Sequence, residues 1–268
     1  LFTGCMVIVG DMPWHRAGNC FTDDDLAFIE LLFENHYGIT SEKKILTALR
    51  VVANSNGYHP VREYLNHLDW DRTPRVRFAL HHFLGAEISD LNEELLRLFM
   101  LGAVTRIFQP GCKFDMMLCL TGGQGAGKSS FFRFLAGNDE WFSDDLRRLD
   151  DENIYRRMMG HWIIEMSEMI ATVNAKNVEE IKSFLSRQKD TYKVPYDKFP
   201  ADRPRQCVFA GTSNKLDFLP HDRSGNRRFL PIRIDPDKAE VHILANQQTS
   251  RAYFNQMWAE IMVIYRSG

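Results

Sequence analysis

The sequence predicts an α/β protein: a parallel sheet flanked by helices, preceded by an all-α region. Three observations predict it. The first hundred or so residues carry repeated helix-start signals. After Pro110-Gly111, short apolar runs alternate with helical stretches, the order that builds a parallel sheet under covering helices. The first of those runs stops at a glycine-rich loop ending in Gly127-Lys128-Ser129, the place where a strand-to-helix turn presents backbone N–H groups to an anion.

Thr22 and Asp25 pair as N-cap and partner ahead of Leu26, Ile29, Leu32 and Phe33, with Gly38 as the stop. Asp23-Asp24-Asp25 is read as first-turn dipole chemistry, with a metal-binding carboxylate cluster as the alternative. Ser41 precedes a second helix through Ile45, Leu49 and Val52; Pro60 and Pro74 suit the first turns of two more, and Ser89 caps a longer one from Leu91 to about Phe108. The division into domains is placed at Pro110-Gly111, giving a helical region 1–110 and a sheet domain 111–268. In the latter, strands are expected at Phe114–Leu120, Trp162–Met166, Cys207–Thr212 and Phe229–Ile234, with helices over Asp151–Met159 and Val178–Leu185. A closing amphipathic helix carries Tyr253, Met257, Ile261 and Ile264 on one side.

Composition sets bounds. The chain has 268 residues, 44% of them hydrophobic and 12% aromatic, enough for one large or two modest cores. A net charge of −2 excludes a globally basic nucleic-acid coat but not a local groove. Five cysteines without a C-x-x-C pair read as reduced thiols of a cytosolic protein, and the histidine spacing gives no metal site of protein ligands alone. No run reaches the apolar length of a membrane span. The chain begins at Leu1 and is read as a fragment of a longer polypeptide.

The chemistry centres on Gly122, Gly123, Gln124, Gly125, Ala126, Gly127, Lys128, Ser129 and Ser130, which fit the P-loop spacing. In such a loop the amides wrap the phosphates, the lysine reaches the outer ones and the serine hydroxyl sits on Mg²⁺. The apolar strand from His161 to Glu168 ends in acids, where a Walker B segment delivers carboxylate to the metal and the attacking water. Glu165 and Glu168 are the pair. Glu168 suits the water-polarising base and Glu165 the metal, with a surface role for one of them as the alternative. Asn214 is expected beside the γ-phosphate as a sensor, or as a turn-forming residue. Arg227 or Arg228 is an arginine-finger candidate for a neighbouring subunit's site, against an ordinary solvated pair. Lys182, Arg187, Lys189, Tyr192, Lys193, Tyr196 and Lys198 around Pro195 interleave bases and aromatics as a hairpin that touches single-stranded DNA would, or as a solvated hairpin.

Together these residues resemble the virulence-associated protein E family, primase-helicase-like ATPases of phages and mobile elements related to superfamily III helicases. The likeness rests on Tyr58 to Leu65 with Leu68 to Asp71, the loop from Gly122, Trp162 to Glu168, and Thr212-Ser213-Asn214 with Gly225 to Phe229. It implies an AAA-like nucleoside-triphosphatase core behind a helical domain, with ATP and Mg²⁺ as cofactors. It also implies a homo-oligomeric ring on single-stranded DNA and other replication proteins as partners in the cytoplasm of a bacterial host. Lys193 and Lys198 fall on the hairpin that holds DNA in related helicases. One departure is Ser167-Glu168 in place of the usual Asp-Glu pair, with Glu165 upstream. The expected function is an ATP-dependent DNA helicase or translocase motor, the alternative being a module that binds ATP as a switch without translocation. Any primase chemistry is expected to precede Leu1.

Overall fold

The computed structural model describes residues 5–16, 18–146, 149, 154–166, 175–193, 199–214 and 226–268. The chain divides into two compact units, Leu1–Pro60 and Val61–Gly268. In the first, helix α1 (Asp23–Tyr37) starts at a capping box in which Thr22 accepts from the Asp25 amide and Asp25 reaches back to the Thr22 amide. It stops at Gly38, whose φ of 65° puts it in the left-handed region that an L side chain resists. Asp25 also accepts from Arg16 Nε at 2.7 Å and Trp14 Nε1 at 2.8 Å. The Arg16 guanidinium, before all else, holds its carboxyl far below the usual carboxylate range. Helix α2 (Glu42–Ser55) follows, and Ser41 makes no side-chain cap there.

Helix α3 (Pro60–Asn66) begins at the expected proline; α4 (Val76–Leu84) and α5 (Asp90–Phe108) follow, α5 capped by Ser89 accepting from the Asn92 amide. The expected division at residue 110 falls inside the second unit, because α5 is tied to what comes after it. Arg106, fully buried, donates to the carbonyls of Cys207 at 2.8 Å and Phe114 at 2.6 Å. The Ala103 carbonyl accepts from Trp162 Nε1 at 3.1 Å.

The sheet takes β1 (Met117–Thr121), β2 (Phe142–Ser143), β3 (Ile163–Glu165), β6 (Val208–Ser213) and β7 (Phe229–Arg233) in the order β2-β3-β6-β1-β7, with every pairing parallel. Between them run α6 (Lys128–Leu135), α7 (Ile154–Met158), α8 (Ala175–Leu185) and a two-stranded antiparallel hairpin of β4 (Lys189–Tyr192) and β5 (Ala201–Pro204); α9 (Gln247–Ser267) closes the chain. The four expected strands appear within a few residues of their predicted limits. The fifth, β2, was not foreseen: two residues are too few to show a period.

One side of the sheet packs α5, α6 and α9 around Phe99, Phe131, Phe132 and Phe254, with Trp162 stacked on Trp258 at 4.4 Å. Trp258 Nε1 donates to the Leu135 carbonyl at 2.7 Å, so both buried indoles have their donors satisfied. A second cluster joins Met117, Ile164 and Phe209 to Ile181 and Phe184 of α8. Beside it, Arg205 and Asp190 form a buried bidentate pair at 2.6 and 2.9 Å that anchors the hairpin's base. Among the described residues no helix is long and apolar enough to cross a membrane.

Candidate functional site

In a parallel sheet all strands end on one edge, and here β1 lies between β6 and β7, with its following loop facing the ends of both. Such switch points are where open α/β sheets bind ligands. The loop from Gly122 to Gly127 starts as a continuation of the ladder, the Gly122 amide donating to the Ser213 carbonyl at 3.1 Å. Only glycine fits at 122: a Cβ there would stand 2.6 Å from Ile234 Cγ1 and 2.9 Å from its carbonyl oxygen. Gly127, at φ 78°, turns the chain into α6 as its N-cap. Gly123, Gln124 and Gly125 are exposed, Ala126 is buried, and Ser130 is half-buried on the first turn of α6.

Lys128 opens α6 and folds back over the loop. Its Nζ donates to the carbonyls of Gly122 at 2.9 Å and Gly123 at 2.6 Å, and to Asn214 Oδ1 at 2.9 Å. Burial lowers its pKa, opposed by the charge of Glu165. Glu165, the last residue of β3, is fully buried; Oε1 accepts from Ser129 Oγ at 2.8 Å and Thr212 Oγ1 at 2.5 Å. Its Oε2 is buried with no hydrogen-bond partner among the described residues. Burial raises its pKa first of all, and the Asp144 charge adds to this; the Thr212 and Ser129 hydroxyls and the Lys128 charge oppose it. Loop, Lys128, Ser129, Glu165 and Asn214 therefore meet at one edge. They reach it from three separate stretches of sequence.

Glu168 and Lys198 lie outside the described residues. Lys193 is exposed at the end of β4. Of the other expected hairpin bases, Lys182 is buried and donates to Glu179 at 2.7 Å, and Lys189 pairs with Asp202, so neither is an unpaired charge at the tip. Tyr192 stacks on Tyr155 at 5.2 Å, and the Arg203 guanidinium lies 5.1 Å from its ring centroid. Phe199, 77% exposed, was passed over in the sequence although it directly follows Lys198.

Arg227 and Arg228 stand just before β7, at the edge opposite the loop. The five residues of β7 separate the two edges by roughly 16 Å at about 3.3 Å per residue. Arg228 Nε donates to Asp115 Oδ2 at 3.0 Å and Ser186 Oγ at 3.1 Å, whereas Arg227 is exposed. Thr212, which orients Glu165, was also missed; the polar run at the end of β6 had been read only at Asn214.

Fold and site define a class: a parallel α/β protein whose polar side chains converge where the strands end, beside the first strand of the sheet. The chain belongs to the family of the virulence-associated protein E-like domain, which matches residues 65–268. Among solved structures, the A form apo structure of the NrS-1 C-terminal region is similar to it at 17% identity and a TM-score of 0.54, over 74% of this chain and 48% of that one. Two other apo structures of that region, both 16% identical with a TM-score of 0.49, cover 74% of this chain and 46% and 47% of theirs. The first likeness shows the fold alone, and the chain spans just under half the length of that structure. No curated protein matches the chain.

Proposed function

We propose that this chain is the Mg²⁺-dependent ATPase motor of a phage or mobile-element replication protein, acting as a homo-oligomeric ring on single-stranded DNA beside other replication proteins. The observation that carries the reading is the convergence of Lys128, Asn214, Ser129 and Glu165 at the glycine-rich loop. Lys128 is bonded to three oxygens that triphosphate oxygens would replace, and the loop amides add a cradle that needs no side chain.

The donor set fits a hard divalent cation: a hydroxyl, and a carboxylate whose second oxygen is buried without a partner among the described residues. Ser129 and Glu165 would hold Mg²⁺, which when bound supplies charge neutralisation on the phosphate oxygens. Thr212 keeps Glu165 in one rotamer. Asn214, bonded to Lys128, is set to sense the γ-phosphate, and Glu168 is the acid assigned to polarise water. Arg227 is favoured over Arg228 as the finger for a neighbour's site, since Arg228 is engaged by Asp115 and Ser186 within its own chain. Lys193, just after β4, and Lys198, which lies outside the described residues, are the bases assigned to the DNA backbone.

The test is phosphate release with and without single-stranded DNA. The wild type should hydrolyse ATP and be stimulated by DNA; Lys128→Ala should abolish turnover. Hydrolysis unaltered in Lys128→Ala would remove the loop from the mechanism. A second reading, an ATP-gated switch, is favoured by the single glutamate that ends β3; binding of ATP without turnover or DNA stimulation would select it.

A further inference from the structure

We propose that Asp144, the residue after β2, is a second acid of the divalent-cation site built on Glu165 and Ser129, accepting hydrogen bonds from the cation's water ligands. The inference rests on the nucleotide-hydrolase reading above and names a residue that reading does not use.

The ladder places it. β2 and β3 pair in parallel, Phe142 with Ile163 and Ser143 with Ile164. Carried one residue beyond its last pair, that register sets Asp144 beside Glu165, and residues opposed across a parallel ladder face the same side of the sheet, with strands roughly 4.8 Å apart. The side that Glu165 faces is that of Ser129 on α6. The following residue is turned to other work: Asp145 accepts from Arg157 Nη1 through its carboxylate at 3.0 Å and its carbonyl at 3.2 Å. Among the described residues no cation pairs with Asp144, which is exposed at the rim.

Two carboxylates on neighbouring strand ends repel, and neither has a salt-bridge partner among the described residues. The independent sign of a ligand is Glu165 Oε2, fully buried and without a hydrogen bond among the described residues. An orphaned carboxylate oxygen is costly in a finished fold, and a divalent cation removes that cost and the repulsion together. The two acids differ in reach. Glu165 is inside and suits direct ligation; Asp144 is at the rim and suits the water shell that Mg²⁺ keeps.

The experiment is titration of the whole chain with Mn²⁺ as the probe, followed by electron paramagnetic resonance, with a saturating slowly hydrolysed ATP analogue. Asp144→Asn should weaken Mn²⁺ binding roughly 10-fold, the range for outer-shell partners. Metal-free binding of the analogue and thermal stability should match the wild type, and Asp145→Asn should bind Mn²⁺ normally. Wild-type Mn²⁺ affinity in Asp144→Asn, with the metal lost in Glu165→Gln, overturns the role of Asp144 and leaves the nucleotide site standing. No saturable Mn²⁺ binding by the wild type overturns the nucleotide site and this inference with it.

Discussion

Lys128 Nζ donates to Asn214 Oδ1 at 2.9 Å, joining the loop after β1 to the end of β6 across the gap where a terminal phosphate would enter. A side-chain amide that holds the lysine is placed to exchange it for phosphate oxygen. Asn214→Ala should retain nucleotide binding within a few-fold and slow turnover by roughly 10²-fold, the loss seen when one preorganised donor is removed. Fluorescent-nucleotide titration beside steady-state phosphate release checks this. A fall in affinity matching the fall in rate would make Asn214 a binding residue only.

Glu165 gives stability a pH dependence of defined sign. Its pKa is raised in the fold, chiefly by burial, so the folded chain takes up the proton at higher pH than the unfolded chain does. The penalty for the charged form is absent below the unfolded pKa, grows as pH rises through the window up to the raised value, and is constant above it. Without nucleotide and metal, the wild type should therefore gain stability relative to Glu165→Gln as pH falls through that window. Denaturant unfolding of both proteins at a series of pH values tests it; a gain on raising pH would contradict the buried carboxylate.

Arg227 and Arg228 should separate cleanly. Arg228→Ala takes the guanidinium from Asp115 and Ser186 and should cost on the order of 1–3 kcal/mol in denaturant unfolding. Arg227→Ala, at an exposed position, should leave stability unchanged and lower turnover at least 10³-fold, the contribution of an arginine finger. Mixing Arg227→Ala with Lys128→Ala subunits should restore part of the activity, because shared interfaces then contain one intact site. No restoration in mixed assemblies argues against a site completed by a neighbour.

The buried Arg205–Asp190 pair anchors the hairpin. Asp190→Ala leaves a buried guanidinium without its carboxylate and should destabilise the chain by about 3–5 kcal/mol. Chemical denaturation measures it; a change below about 1 kcal/mol would mean that the stacking of Arg205 on Phe184, at 4.3 Å, suffices without the acid.

Much of this was legible in the residues. Thr22, Gly38, Pro60 and Ser89 marked helix ends because capping is local: donor and acceptor lie within a few residues of each other. The strand Met117–Thr121 and the loop after it were legible from a continuous apolar run broken by glycines, and the hairpin whose limbs are Lys189–Tyr192 and Ala201–Pro204 from its interleaved residues around a proline. The strand Phe142–Ser143 was not, nor was the attachment of Asp90–Phe108 to the sheet through Arg106, since both depend on partners far along the chain.

By itself, then, the sequence determined a phosphate-loop pattern at a strand-to-helix turn, the alternation that makes a parallel sheet, and the residue types available at each strand end. Tertiary structure alone decided which of them meet. It put Glu165 against Ser129 and Thr212, brought Asn214 to Lys128, paired Ser143 with Ile164 one residue before Glu165, and left Arg227 and Arg228 at the far edge, where Arg228 is held by Asp115. The reason is that a parallel ladder joins strands through long crossovers, so register between them is set by packing of the whole sheet and leaves no short-range trace in the chain.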